Sequence, residues 1–439
     1  MVIEEKLTEH SSYINEVTDL LIEGRHVSLK LQESLANGKM IQKLENLPDL
    51  VSKAHLFESL SMSETDVDSD EVEFLPVNRL IGKEEIGDVL KIVEEVLPTG
   101  QYTSGEYVNR FEEALKEYTR FSHCVTTSSG TTGLSIALLA AGVSAGDEVI
   151  MPSNSFAATE NAVMSMGAHP VWVDIDQDTY CLDASKIPAL ITRKTKAILP
   201  VDLYGRQPDQ QAIRKVADTY NLTVIEDGCQ AIGSESLGEY SDLLVLSFNP
   251  YKNLGVCGKS GAILTNDKEL SLQCKRLSYH GFSVGEKNVK ETKYGFNARM
   301  DNFQAAIGLE RFKYLTLNNF KRSLLAKRYI EKLNILEKEG KISLPENTYD
   351  HVWHLFSIRV HHNQRNSIKQ RIQDNYKVQT DVYYPYLSHQ QNISYLQNKR
   401  QSLSNTELVH SELLHLPLFP QFTLKEQDQV VEALRNELA

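Results

Sequence analysis

Six short apolar runs punctuate the middle of the chain, at 147–151, 171–174, 197–202, 222–226, 243–248 and 261–265, each followed by a more polar stretch of mostly helical pattern. Continuous Val/Ile/Leu runs without strict alternation predict strands buried on both faces, as in a mostly parallel sheet covered by helices. The fold class is therefore α/β for this part of the chain. A further strand is expected just before Ser128, and a long helical passage near 302–338 follows the sheet. Beyond it the pattern predicts strands at about 352–360 and 378–384 among helices, and Thr423 with Glu426 three residues later predicts a capping box opening a last helix. That end reads as a smaller α+β domain.

The first residues differ. Ile14, Val17 and Leu21 recur at helical spacing, as do Val27, Leu31 and Leu35 before Gly38, which predicts two short amphipathic helices. From Glu64 to Glu73 six acids are interleaved with Ser, Thr and Val, the composition of a solvated linker. The division expected is an acidic helical N-terminal extension over 1–74, a large domain over 75–320 and a small C-terminal domain over 321–439.

Charge sharpens this division. Of the net −13 carried by 439 residues, −10 falls on residues 1–75. An acidic extension repels phosphate backbones, so nucleic acid is not an expected partner. Nor is a membrane, since no run of apolar residues approaches the ~20 needed to span one, and the N-terminus lacks the pattern of a secretory signal. A cytoplasmic protein is expected. The five cysteines are scattered and form no CxxC pair, so buried reduced thiols are expected, with neither a disulfide framework nor a metal site.

Chemistry collects where strands end, because loops and helix N-termini meet at the carboxyl edge of a parallel sheet. Ser128-Ser129-Gly130-Thr131-Thr132-Gly133 opens a helical stretch there, and its unpaired N–H groups and hydroxyls suit a phosphate; ordinary helix capping is the other reading. Glu226-Asp227-Gly228-Cys229-Gln230 ends a strongly apolar strand, where an acid either caps the next helix or holds a protonated pyridine nitrogen. Ser247 ends another, with Lys252 five residues on. Each signal is weak by itself. Together, and in this order, a phosphate cradle, a carboxylate and a lysine are what a pyridoxal-phosphate enzyme requires.

In these stretches the sequence resembles the DegT/StrS-type sugar aminotransferases, pyridoxal 5'-phosphate enzymes of the aspartate-aminotransferase fold (fold type I). Further matching stretches are 100–105, Ser155-Phe156-Ala157-Ala158-Thr159, 173–176, Leu203-Tyr204-Gly205, 294–301 and 416–420, so that the likeness covers about 75–439. The resemblance implies that Lys252 carries the cofactor covalently and then moves a proton between substrate and cofactor carbons. It implies that Asp227 pairs with the ring nitrogen, that Gln230 lies near the ring hydroxyl and that Phe156 stacks on the ring. Ser129, Gly130, Thr131 and Ser247 would bind the phosphate. Asn297 would reach the phosphate from a neighbouring subunit, making a homodimer with shared sites. His280, Tyr294, Tyr384 and His389 are candidate sugar contacts, although a lone His or Tyr is more often structural.

Two departures bear on the substrate. Many relatives have histidine where this chain has Asp202, and again where it has Tyr383, both expected near the sugar. The acidic extension resembles that of family members acting on a 3-oxo-hexose phosphate. This implies transfer of an amino group from glutamate to a keto sugar phosphate, 3-oxo-glucose 6-phosphate, giving kanosamine 6-phosphate for antibiotic biosynthesis. A nucleotide-linked keto hexose is the alternative substrate. A non-catalytic cofactor-binding regulator is a further reading, which the intact set of Lys252, Asp227, Gln230 and Ser247 disfavours.

Overall fold

The structure, a computed structural model, describes residues 71–438 apart from Lys287, Tyr349 and Asn398. The two helices and most of the acidic linker expected before residue 71 lie outside the described residues. Seven strands form the main sheet: β1 (His123–Thr127), β2 (Glu148–Pro152), β3 (His169–Val173), β4 (Thr195–Ile198), β5 (Thr223–Asp227), β6 (Leu243–Ser247) and β7 (Gly261–Thr265). Their order is β1-β7-β6-β5-β4-β2-β3. Pairing is parallel from β6 through β5, β4 and β2 to β3, whereas β7 runs antiparallel to both β6 and β1. The apolar run of β7 is indistinguishable from the others in sequence because all five of its residues are buried, whatever the strand's direction.

Helices α1 (Lys83–Val96), α2 (Glu106–Thr119), α3 (Gly130–Ala140), α4 (Ala157–Met164), α5 (Gln210–Tyr220), α6 (Lys268–Ser278) and α7 (Asn302–Phe312) accompany this sheet. Polar residues set several of their starts: the Ser129 side chain accepts from Thr132 N at the head of α3, and the Asp209 side chain accepts from Ala212 N at the head of α5. Leu134, Ile136 and Ala137 of α3 pack with Val125, Val245 and Ile263, so the phosphate-type turn at Ser129–Thr131 is anchored by an apolar helix beneath it.

The long α8 (Leu315–Lys338) leads to a second, three-stranded antiparallel sheet of order β10-β9-β8, built from β8 (Ile342–Ser343), β9 (Phe356–Val360) and β10 (Leu413–Leu416). Helices α9 (Arg365–Tyr376), α10 (Ser404–Glu412) and α11 (Leu424–Leu438) complete it. The capping box forms: Thr423 N and Oγ1 donate to Glu426 Oε2, and Glu426 N donates back to Thr423 Oγ1. The strand expected at 378–384 is not one. Val378 and Asp381 make only isolated bridges, Val378 to Val72 and Asp381 to His415 of β10, so the segment runs beside β10 without a continuous ladder. Val72 and Leu80 pack with Leu325, Phe356 and Val378, which ties the start of the described chain to this second core.

Candidate active site

The carboxyl ends of β2, β5 and β6 converge with the N-termini of α3 and α4. At Gly130 an added Cβ would lie 2.8 Å from Ser247 Cβ and 3.0 Å from Cys229 Sγ, so only glycine lets the head of α3 approach the ends of β5 and β6 this closely. Ser129 Oγ lies 2.7 Å from Thr132 Oγ1, and Thr131 is exposed in the first turn of the helix. Free N–H groups at a helix start, with Ser247 Oγ alongside, are suited to an anion.

Asp227 ends β5 and is buried; its Oδ2 accepts from Thr159 Oγ1 at 2.8 Å, and its Oδ1 accepts from Cys229 N at 3.3 Å. Thr159 lies 2.7 Å from Ser155 Oγ, one helical turn earlier at the start of α4. Thr159, quoted in the sequence only as part of a matching stretch, is the side chain that holds Asp227; the i, i+4 pair of hydroxyls at a helix start was visible. Phe156 caps the same helix with its side chain 54% exposed, and its ring meets Tyr384 at 5.6 Å. An aromatic left this open beside buried polar groups presents a face to a planar ligand.

Lys252 lies in the loop after β6 and is half-buried. Loss of water around its amine lowers it from the ordinary lysine value, against the opposing pull of Cys229 and Asp227. The shift is in the direction a nucleophilic amine needs. Gln230 accepts from Tyr204 N at 2.9 Å and donates weakly to Tyr384 Oη at 3.4 Å. Burial pushes the Tyr384 phenol far up, so its hydroxyl keeps its proton.

Lys252, Asp227, Gln230, Phe156, Gly130, Ser129, Thr131, Ser247 and Tyr384 therefore gather at one edge of the sheet. Asn297, His280 and Tyr294 sit elsewhere, on the stretch between α6 and α7. There Tyr279 bridges Asn297 and His280 N donates to Phe296 O at 2.8 Å, while Asn297 and Tyr294 are exposed. The same stretch touches the phosphate-type turn through Ser128 N and Ala298 O, 2.7 Å apart. His389 is buried, 2.9 Å from Ser153 Oγ and 3.1 Å from Glu407 Oε1, so both of its ring nitrogens face groups of the chain itself.

Asp202 is fully buried, so its side chain does not reach the open edge of the site. Tyr383 is half-buried, stacked on Tyr384 at 5.6 Å and edge-on to Phe74 at 5.7 Å. The cysteines are also less uniform than expected: Cys124, Cys181 and Cys274 are buried, Cys229 is half-buried and Cys257 is exposed. No helix among the described residues is long and apolar enough to cross a membrane.

The residues present suit pyridoxal phosphate: an anion cradle too tight for a Cβ, an open aromatic face, a buried carboxylate and a lysine whose amine is pushed toward neutrality meet at one edge. Comparison with known proteins agrees. Residues 83–435 match the model of the DegT/DnrJ/EryC1/StrS aminotransferase family. The chain is 51% identical over 408 residues to the 3-oxo-glucose-6-phosphate:glutamate aminotransferase of Bacillus subtilis, covering 92% of this chain and 91% of that protein. It is 34% identical over 359 residues to the dTDP-3-amino-3,4,6-trideoxy-alpha-D-glucose transaminase of Micromonospora megalomicea, covering 80% of this chain and 95% of that one. A crystal structure of NtdA from Bacillus subtilis with its cofactor PMP bound superposes with a TM-score of 0.85 at 50% identity, over 92% of each chain. The chain thus belongs to the DegT/DnrJ/EryC1/StrS aminotransferase family, as a pyridoxal-phosphate-dependent aminotransferase of fold type I.

Proposed function

We propose that this enzyme transfers the amino group of glutamate to 3-oxo-glucose 6-phosphate, giving kanosamine 6-phosphate. One observation carries the choice of sugar: the likeness to the Bacillus subtilis enzyme of that name runs over 408 residues, whereas the family match is confined to 83–435. The chain shares with that relative more than the parts common to all sugar aminotransferases. Participation in antibiotic biosynthesis and a cytoplasmic location belong to the same proposal.

Bound pyridoxal phosphate supplies an electron sink for the charge left when a substrate C–H bond is broken. The chain's own groups do the rest. Lys252 would hold the cofactor through its Nζ, and that nitrogen, when neutral and free, could take the proton from the substrate carbon and return it. Desolvation of the amine favours the neutral form that can accept a proton. Asp227 would present its carboxylate to the ring nitrogen, oriented by Thr159 Oγ1 on Oδ2 and, more weakly, by Cys229 N on Oδ1. Gln230 and Tyr384, 3.4 Å apart, would lie near the ring hydroxyl, and the open Phe156 ring would cover one face. Ser129, Gly130, Thr131 and Ser247 bind the phosphate, and Asn297 of a second copy completes the cradle in a homodimer. Tyr384, beside Phe156 and Gln230, would contact the sugar; His280 and Tyr294 would act from the neighbouring subunit. His389 serves by holding the end of β2 through Ser153.

Side-by-side kinetics with glutamate as donor tests the substrate. Efficient amination of 3-oxo-glucose 6-phosphate with kcat/KM about 100-fold above that for nucleotide-linked keto hexoses is expected, since unpaired buried polar groups penalise the wrong ligand. Comparable turnover of the nucleotide sugar would remove the hexose-phosphate assignment and leave the aminotransferase standing. The half-reaction with glutamate alone, followed by absorbance, separates either enzyme from a regulator.

A further inference from the structure

Behind Asp227, on the opposite face of β5, a second pair of acids is sealed inside the protein. Asp202, at the exit of β4, and Glu226, on β5, both have 0% exposure. Each has one oxygen supplied with donors. Asp202 Oδ1 accepts from Gln210 Nε2 at 3.2 Å, and Glu226 Oε1 accepts from Gln207 Nε2 and Gly238 N, both at 3.1 Å. Ser234 and Ser236 donate to Gln207 Oε1 at 2.7 and 2.6 Å, which orients its amide toward Glu226. The remaining oxygens, Asp202 Oδ2 and Glu226 Oε2, are buried and accept no well-formed hydrogen bond; the two carboxyls interact with each other, with the Ser241 hydroxyl also near Glu226. Gly228 makes the room: a Cβ there would lie 3.5 Å from Asp202 Oδ2 and 2.6 Å from Leu244 Cδ1.

We propose that Asp202 and Glu226 share a single buried proton, and that this acid pair positions Asp227 and Gln230 by fixing the ends of β4 and β5 against each other. Two facing carboxylates at 0% exposure, with no cationic side chain paired to either among the described residues, would be prohibitively costly, whereas an acid donating to a carboxylate satisfies both orphaned oxygens. Among the described residues neither acid has an ion-pair partner. The titratable groups that meet the pair are Asp227, the Cys181 thiol, which burial pushes up to about 12 with Asp202 adding, and the Cys229 thiol, pushed far up by burial and by Asp227. The Arg206 guanidinium on the adjoining loop is paired with Glu346 at 2.8 Å. Asp202 carries the proton, because burial, then Glu226, raise its carboxyl far above the usual range. The link to the site is short: Asp202 N donates to Asp227 O at 3.1 Å, Asp227 N donates to Pro200 O at 2.9 Å, and Tyr204 N holds Gln230.

The sign of the pH effect follows from the retained proton. The folded protein keeps it while the unfolded chain releases it above about pH 4, so the pair's contribution is full below that pH and declines as pH rises toward the folded value. Isotope-edited infrared spectra of the holoenzyme at neutral pH are expected to show a protonated Asp carboxyl that vanishes in Asp202→Asn. Both Asp202→Asn and Glu226→Gln are expected to flatten the fall of Tm with rising pH. Asp202→Ala is expected to weaken binding of pyridoxal phosphate about tenfold, with Asp202→Asn restoring most of it, because the amide still donates to Glu226. A wild-type spectrum without a protonated Asp carboxyl at neutral pH overturns the shared proton, and needs no variant to fold. Equal loss of cofactor affinity in Asp202→Ala and Asp202→Asn overturns the positioning role.

Discussion

The ends of β4, β5 and β6 and the stretch at 279–300 hold the two halves of the proposed site, and they are built in opposite ways. At the strand ends the polar groups are buried and answered within the chain: Asp227 by Thr159, Gln230 by Tyr204, Glu226 by Gln207. Across 279–300 the side chains face outward, with Tyr279, Val284, Val289, Tyr294 and Phe296 exposed and Arg299 lying over the Tyr279 ring at 3.7 Å. Burial fixes geometry because a buried polar group without its partner is costly. An exposed aromatic stretch beside an anion cradle is geometry still open to another molecule, which agrees with a second copy of the chain completing the site.

The largest break in the comparison comes from the buried half. Lys252→Ala is expected to abolish transamination and the cofactor absorbance that borohydride bleaches; survival of that absorbance would mean another lysine is the anchor. Asp227→Ala is expected to slow proton removal by roughly 100- to 1,000-fold, as for a lost electrostatic contact in a closed site, while the fold persists. Stopped-flow measurement with glutamate decides this, and near-normal rates would exclude the ring-nitrogen role.

The exposed half should respond in trans. Asn297→Ala is expected to weaken cofactor binding about tenfold, the size of one charge-assisted hydrogen bond. Mixed with inactive Lys252→Ala protein, it should regain part of the activity through hybrid sites in a dimer seen by sedimentation. An active monomer, or no complementation from folded dimers, would show that both halves lie in one chain. The smallest effect belongs to Thr159→Val, which removes a single hydroxyl behind Asp227 and should cost about 1 kcal/mol, read as a severalfold rise in the cofactor dissociation constant. No change there would mean that Asp227 is held by the backbone alone.

Much of the buried half was legible beforehand. Asp227, Ser247 and Lys252 follow long apolar strands, and such strands announce their own ends. Glu226 and Asp202 were legible as acids but not as a pair, because 24 positions separate them and only the adjacency of β4 and β5 brings them together. The same gap in information turned Asp202 into an expected sugar neighbour, when the alternation of side chains along β5 puts Glu226, and with it Asp202, on the face away from Asp227. In the second sheet, 378–384 has the alternation of a strand, yet it meets Val72 and His415 of β10 through single bridges only, which the alternation does not reveal.

The sequence by itself determined which segments are buried, where helices begin, and which residue types stand at the strand ends. These depend on local pattern, on capping chemistry and on the cost of exposing apolar surface, all of which act over a few residues. The tertiary structure decided the order of the strands, and with it which acid meets a ring nitrogen and which meets another acid. Residues far apart in the chain acquire an environment only when their strands are packed side by side, and a carboxyl's chemistry is set by that environment rather than by its neighbours in sequence.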